Sequence, residues 1–275
     1  MIHFDNTYTV LVTGAAGFIG SSLSEALLSQ GCKVIGVDNF NDYYAREIKE
    51  DNLSCCCSHP NFKLYEDDLS NKDAVKRIFD EQKIDAVVHL AARAGVRPSI
   101  ERPLDYCQSN IVASLILLEE MRLHGVKKLV FASSSSVYGN CDAQVFTEDL
   151  KVTEPISQYA ATKSAMEQFC YTYYKLYDIK TVCLRFFTVY GPRQRQDLAI
   201  HKFTRLIDEG KPVPMFGDGQ TMRDYTYIDD IISGVVSALV YDQTSYEIIN
   251  LGGGEPVTLK RMISEIEQAL GKKAI

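Results

Sequence analysis

The stretch VTGAAGFIGSSL, residues 12–23, sets glycine at 14, 17 and 20 directly after a run of aliphatic and β-branched residues. Glycine turns tightly and lets a phosphate or another backbone approach where a Cβ would stand. A helix starting inside such a turn offers unpaired N–H groups and the positive end of its dipole to an anion. Taken alone, the spacing also fits an ordinary tight β–α turn. Its context favours a dinucleotide site: the next strand, KVIGVD, ends at Asp38, eighteen residues beyond Gly20, where a carboxylate can accept hydrogen bonds from an adenosine ribose. A 2′-phosphate would be repelled there, which favours NAD over NADP; the alternative is that Asp38 only caps the loop after it.

Outward from this turn, short β-branched runs alternate with helical periods, the pattern of a parallel sheet covered by helices. The expected strands are YTVLVT (8–13), KVIGVD (33–38), FKLYED (62–67), DAVVHL (85–90), KLVFAS (128–133) and KTVCLRF (180–186). Ile111, Leu115, Leu118 and Met121 recur at helical intervals and predict a helix over 105–124, stopped by Gly125. Past residue 190 the order is less regular, with a helix near 198–209 and the turn-rich KPVPMFGDGQ. The expectation is an α/β chain: a Rossmann-like parallel sheet flanked by helices over 1–183, and a smaller substrate-binding lobe over 184–275 with some segments returning to the main sheet.

A formal charge of -7 argues against a nucleic-acid partner, which needs a cationic footprint. The eight cysteines lack paired zinc spacing, so free thiols in a reducing cytosol are expected and no metal site. Asp5 and the absence of a basic run near the N-terminus speak against a signal peptide, and the longest aliphatic run, IVASLILL at 111–118, is too short to span a bilayer. A cytoplasmic protein with no membrane partner is expected.

SQYAATK, residues 157–163, sets Tyr159 and Lys163 on one helical face. By itself this fits a surface helix with a snorkelling lysine. Surrounding motifs change its weight. GAAGFIG (14–20), VDNF (37–40), DDL (67–69), HLAA (89–92), SSSSVYG (133–139), YAATK (159–163) and RDYTYIDD (223–230) occur in order. Through them the chain resembles the extended short-chain dehydrogenase/reductases that act on nucleotide sugars. The resemblance runs from Tyr8 to about Leu270; members continue past the equivalent of Ile275 with a segment that adds uridine-ribose and diphosphate contacts.

The resemblance implies NAD as cofactor, held by Gly14, Gly17, Phe18, Ile19, Gly20, Asp38, Asn39, Asp68, Leu69, Leu90, Ala91, Ala92, Ser133, Tyr159, Lys163 and Phe186, with Asn110 in support. It implies that Tyr159 is general base and acid, with Ser134, or Ser136 as second candidate, sharing the proton. Physical scale agrees. Lowering a phenol from about 10 by three units takes roughly 4 kcal/mol. One ammonium near about 4 Å, at an effective dielectric of about 20, offers on the order of 4 kcal/mol before desolvation. Lys163 alone is marginal, so oxidised cofactor is expected to contribute the rest.

Sister enzymes that dehydrate or decarboxylate carry an acid before VYG; here Ser135 and Ser136 stand there, which leaves 4-epimerisation through a transient ketone. NDYYAREIKEDNL, AGVR, LRFFTVYGPRQRQD and FGDGQTMRDYTYIDD look most like UDP-glucuronate 4-epimerases, so a UDP-sugar substrate is implied. On this resemblance Thr188, Ser136 and Arg195 face the C6 carboxylate, Arg97 and Arg223 the diphosphate, and Met215 and Phe216 the uracil. A homodimer through the helix at 105–124 and the aromatic helix after Lys163 is also implied. A neutral UDP-hexose 4-epimerase, a net oxidoreductase and a catalytically silent NAD-binding sensor are the rivals.

Overall fold

The computed structural model describes residues 4, 6–141, 143, 145–215 and 217–275. Its strands are β1 (Thr9–Thr13), β2 (Lys33–Asp38), β3 (Phe62–Glu66), β4 (Ala86–His89), β5 (Lys128–Ser134), β6 (Lys180–Phe186), β7 (Thr188–Tyr190), β8 (Met222–Tyr227), β9 (Tyr246–Leu251) and β10 (Pro256–Thr258). The helices are α1 (Phe18–Ser29), α2 (Arg46–Cys57), α3 (Lys72–Glu81), α4 (Val96–Glu101), α5 (Pro103–Cys107), α6 (Ala113–Leu123), α7 (Gln158–Tyr177), α8 (Ala199–Asp208), α9 (Ile228–Val240) and α10 (Leu259–Leu270).

Seven strands form one sheet in the order β3-β2-β1-β4-β5-β6-β9, and β1 to β6 pair in parallel. This is a Rossmann order, with its switch point between β1 and β4, where ligands of such sheets bind at the carboxyl ends. The all-buried run TVLVT is what a strand covered on both faces requires. One large core joins Leu11, Ile35 and Val87 on the sheet to Leu117, Met121 and Met166 on α6 and α7. The six expected strands are all present. So is the helix at 105–124, with a difference: it begins at Pro103 and contains a π-helical turn, Gln108–Val112, between α5 and α6.

The chain divides into two compact units. The first runs to Phe186 and resumes at Ile232–Asn250; the second is Phe187–Ile231 with Leu251–Ile275. In the second unit β10, β8 and β7 form a small sheet, and Phe203 and Ile207 of α8 pack with Met262 and Ile266 of α10. Thr258 caps α10 by accepting from the Arg261 N–H at 3.2 Å, and Gly271 ends it at φ 64°.

Candidate active site

The glycine turn is built as the spacing demands. Gly14 adopts φ 68°, and a Cβ there would stand 3.0 Å from the backbone of Ala91. The turn after β1 therefore lies directly on Leu90 and Ala91, beyond β4. A Cβ on Gly20 would fall 2.0 Å from the Gly14 carbonyl, so the first turn of α1 touches the loop that precedes it. Gly17 is the N-cap; no side chain caps α1 and its first turn holds no acid, which leaves the amides of Phe18, Ile19 and Gly20 suited to an anion. These features fit the pyrophosphate of a dinucleotide.

Asp38 caps the loop after it and also reaches into the glycine turn. Its Oδ2 accepts from the Ala16 N–H at 3.1 Å inside the glycine turn, and its Oδ1 accepts from Phe40 N–H at 2.9 Å in the following loop. Lys49, buried on α2, stands 3.7 Å from Asp38 and donates to the Asn41 carbonyl at 2.9 Å. Burial pulls its ammonium pKa down although Asp38 opposes this. Asn39 donates to Asp68 at 2.7 Å, which brings the two expected adenosine-side residues together. Burial raises the Asp68 carboxyl, but hydrogen bonds from Ser70 and Asn39 outweigh it and hold the pKa below the usual range. Leu69 beside it is buried.

Behind the turn lies a directed chain of hydrogen bonds. Ser114 Oγ donates to the Asn110 carbonyl at 2.7 Å, so it accepts from His89 Nε2–H at 2.7 Å. His89 Nδ1 is then an acceptor, and Thr13 Oγ donates to it at 2.7 Å while accepting the Leu90 and Ala91 amides at 3.1 Å. Burial, helped by the Lys163 charge, holds this imidazole neutral, with its pKa down to about 3.

Asn110 sits in the π turn, 2% exposed. Its Oδ1 accepts from Arg93 N–H at 2.8 Å, and its Nδ2 donates to Arg93 O at 3.0 Å and Thr162 Oγ1 at 3.1 Å. It thereby fastens the chain after β4 to the Tyr159–Lys163 turn.

That turn opens α7, where Ser157 Oγ accepts from Ala160 N–H at 3.1 Å. Tyr106, buried on α5, sets its ring edge-on to Tyr159 at 6.3 Å. Lys163 is fully buried; its Nζ donates to Ala132 O at 2.7 Å and lies 4.9 Å from the centre of the Phe131 ring. Burial lowers its pKa to about 8, against weaker upward pulls from Cys170, Glu167 and Cys183. At the end of the same strand Ser134 Oγ donates to Ser136 Oγ at 3.1 Å and accepts from the Ser136 N–H at 3.2 Å. Ser134 thus ends β5 and caps the 3₁₀ turn Ser135–Tyr138, which holds Ser136. Ser133 instead turns to Glu167 at 2.5 Å, and Phe186 ends β6 beside Ser134 in the ladder.

Of the residues expected on the substrate side, Arg97 is exposed on α4 in the first unit. Thr188, on β7, is opposite Tyr225 in the second. Arg223 is exposed on β8 and Met215 is 45% exposed; Phe216 lies outside the described residues. Arg195 donates from Nε and Nη2 to Asp197 at 3.0 and 2.8 Å, so a carboxylate two residues away holds the guanidinium here.

Sequence reasoning missed Lys49, Tyr106, Thr162, Glu167 and Arg185. For the last two a signal existed. A charged residue inside the otherwise apolar strand KTVCLRF needs a buried partner, and Glu167 lies on the Lys163 stripe of α7.

A Rossmann sheet with a glycine turn, Asp38 and a Tyr-x-x-x-Lys helix defines a dinucleotide-dependent enzyme of short-chain type. The model of the NAD dependent epimerase/dehydratase family matches residues 10–252, and the chain belongs to that family. It is 50% identical over 265 residues to UDP-glucuronate 4-epimerase of Thermodesulfobacterium geofontis, covering 96% of this chain and 81% of the relative. Protein CapI of Staphylococcus aureus is 41% identical, with 96% and 84% covered. Among solved structures, UDP-glucuronic acid 4-epimerase from Bacillus cereus in complex with UDP-glucuronic acid and NAD superposes with a TM-score of 0.91 at 40% identity, covering 97% of this chain and 84% of that one. UDP-glucose 4-epimerase from Thermotoga maritima with UDP-glucose gives 0.86 at 33% identity, with 96% and 82% covered.

Proposed function

We propose that this protein interconverts UDP-glucuronate and UDP-galacturonate at C4 through a transient 4-ketone. The observation that carries this is the buried Lys163, fixed to Ala132 O on the strand that ends at Ser134, in a chain half identical to a UDP-glucuronate 4-epimerase. When bound, NAD would supply the hydride acceptor and donor for C4, and Gly14, Gly17, Asp38 and Lys163 would hold it. Tyr159 takes the proton of the C4 hydroxyl and gives it back after the ketone has turned over. Ser134 shares that proton, with Ser136 as its relay. Lys163 stabilises the phenolate with its charge and, by resemblance, holds the nicotinamide ribose.

A 4-keto uronic acid is a β-keto acid and can lose carbon dioxide, so its carboxylate must be held with the breaking bond out of line with the carbonyl. Thr188 and Ser136 are assigned that task, while Arg195 is committed to Asp197. Arg97 and Arg223 are assigned to the diphosphate, Met215 and Phe216 to the uracil. The unit containing Tyr159 is taken as the NAD domain and the smaller one as the sugar-nucleotide lobe. Exposed Leu104, Val112, Phe169 and Leu176 support a homodimer through α5, α6 and α7. Among the described residues no helix is long and apolar enough to cross a membrane, and a cytoplasmic location is proposed.

Incubating the protein with UDP-glucuronate and NAD, while following anomeric proton signals and NADH absorbance, tests this. A UDP-galacturonate signal without net NADH is expected. Preferential turnover of UDP-glucose would move the assignment to a neutral-sugar epimerase; stoichiometric NADH would make it a net oxidoreductase.

A further inference from the structure

The serine end of β5 is joined to α7 by a buried ion pair that the chemistry above does not use. Glu167 lies one turn beyond Lys163, and side-chain exposure in the pair is 4% for Glu167 and 2% for Arg185. Glu167 Oε1 accepts from Ser133 Oγ at 2.5 Å and from Arg185 Nε at 2.9 Å; Oε2 accepts from Arg185 Nη2 at 2.8 Å. Arg185 Nη1 then donates to Tyr138 Oη at 2.9 Å, and Tyr138 donates to Asn250 Oδ1 at 2.7 Å. Ser133 and Arg185 are ladder partners on β5 and β6. Ser133 precedes the Ser134–Ser136 segment and Tyr138 closes it. One carboxylate thus ties both flanks of that segment to the helix bearing Tyr159 and Lys163.

Stability alone gives little reason for such a pair. Desolvating two charges costs about as much as their attraction returns, and packed apolar residues of the same volume serve as well or better. What a buried pair can supply is a single register. We propose that Glu167, clasped by Arg185 and Ser133, is a positioning residue for the epimerisation: it fixes Ser134 against the Tyr159–Lys163 turn and keeps an anion beside the Lys163 ammonium. This rests on the roles given above to Tyr159 and Lys163. The titratable and charged groups around Lys163 are Tyr159, Glu167 and Cys170 on α7, Cys183 and Arg185 on β6, and His89 on β4. Glu167 is the carboxylate among them. A groove of about 470 Å³, lined by Lys151, Gln168 and Tyr171 among others, opens onto both Glu167 and Arg185 and gives small solutes a route to the pair.

Glu167→Gln removes the charge, while its amide can still accept from Arg185 and exchange a hydrogen bond with Ser133. The variant is expected to lose about tenfold to a hundredfold in kcat with KM little changed. The alkaline limb of its kcat profile should move down by about one pH unit, since Lys163 loses an anion. The Tyr159 phenolate, read as the ultraviolet difference between each protein and its Tyr159→Phe counterpart with NAD bound, should titrate at higher pH than in the parent. Glu167→Ala should regain part of its kcat in formate, which the groove admits. A Glu167→Gln protein with a lower melting temperature but unchanged kcat, alkaline limb and Tyr159 titration would make the pair merely structural. If the parent protein does not epimerise UDP-glucuronate, the function proposed above fails, and the Tyr159 titration still decides this one.

Discussion

Lys163 should cost the folded protein stability, and replacing it with methionine should show how much. The side chain is buried and its pKa falls from 10.5 to about 8. Such a shift corresponds to about 3 kcal/mol of desolvation carried at neutral pH. Lys163→Met removes that penalty and also the 2.7 Å bond to Ala132 O, a loss of roughly 1–2 kcal/mol. A net gain of about 1–2 kcal/mol at pH 7 follows, with turnover down by about a thousandfold or more. The pH dependence has a definite sign. The unfolded amine keeps its proton to about pH 10.5, whereas the folded one releases it near 8, so between these values the unfolded state binds more protons. Native stability therefore rises with pH across that window, and the advantage of the methionine variant shrinks as pH goes from 8 to 10. Urea unfolding of the NAD-free proteins by near-ultraviolet circular dichroism at pH 7, 8, 9 and 10 measures both. A variant less stable than the parent at pH 7, by an amount that does not change with pH, would refute the burial argument.

Three further outcomes are expected. Below pH 6.5 an unfolded imidazole takes up a proton that folded His89, with its pKa near 3, refuses; stability should fall by about 1.4 kcal/mol per pH unit between about pH 6 and 4 from this residue. His89→Gln should remove that slope in urea unfolding, and long-range ¹H–¹⁵N spectra of the parent should show a neutral ring protonated at Nε2. Gly20→Ala puts a Cβ 2.0 Å from the Gly14 carbonyl, so NAD binding followed by calorimetry should drop at least about a hundredfold; near-normal affinity would contradict the packing of the turn. Arg195→Ala should change KM for UDP-glucuronate by less than about threefold, because its guanidinium already belongs to Asp197; a much larger rise would show that the arginine leaves that partner for the sugar.

Legibility in the sequence followed the range of the interactions. β2 and β6 were bounded to the residue, each an apolar β-branched run opened by a lysine. The glycine turn and the Tyr159–Lys163 pair were legible because their chemistry is written within a few residues. What escaped was long-range. Lys49 has meaning only once α2 folds back on Asp38, and nothing local marks Tyr106 or Thr162 as neighbours of Asn110 and Tyr159. The short strands β7, β8 and β10 escaped because their residues are partly exposed and lack sustained alternation. The π turn was invisible because 3.6-residue periodicity holds on either side of it. The pairing of Arg195 with Asp197 was not foreseen because composition does not say which carboxylate a guanidinium will meet.

The π turn at Gln108–Val112 constrains how this chain can change length. Ala113 N–H reaches back five residues to Gln108 O, one residue more than an α-helix would span. Five residues wind here through roughly the angle that four cover in an α-helix, so deleting a single residue would restore α-helical winding and leave α5 and α6 facing nearly as they do now. What such a deletion loses is the place of Asn110, whose bonds to Arg93 and Thr162 link the two ends of the site. Homologous chains that keep this asparagine are thus expected to keep the extra residue, and a one-residue gap within 108–112 is expected in chains that lack it.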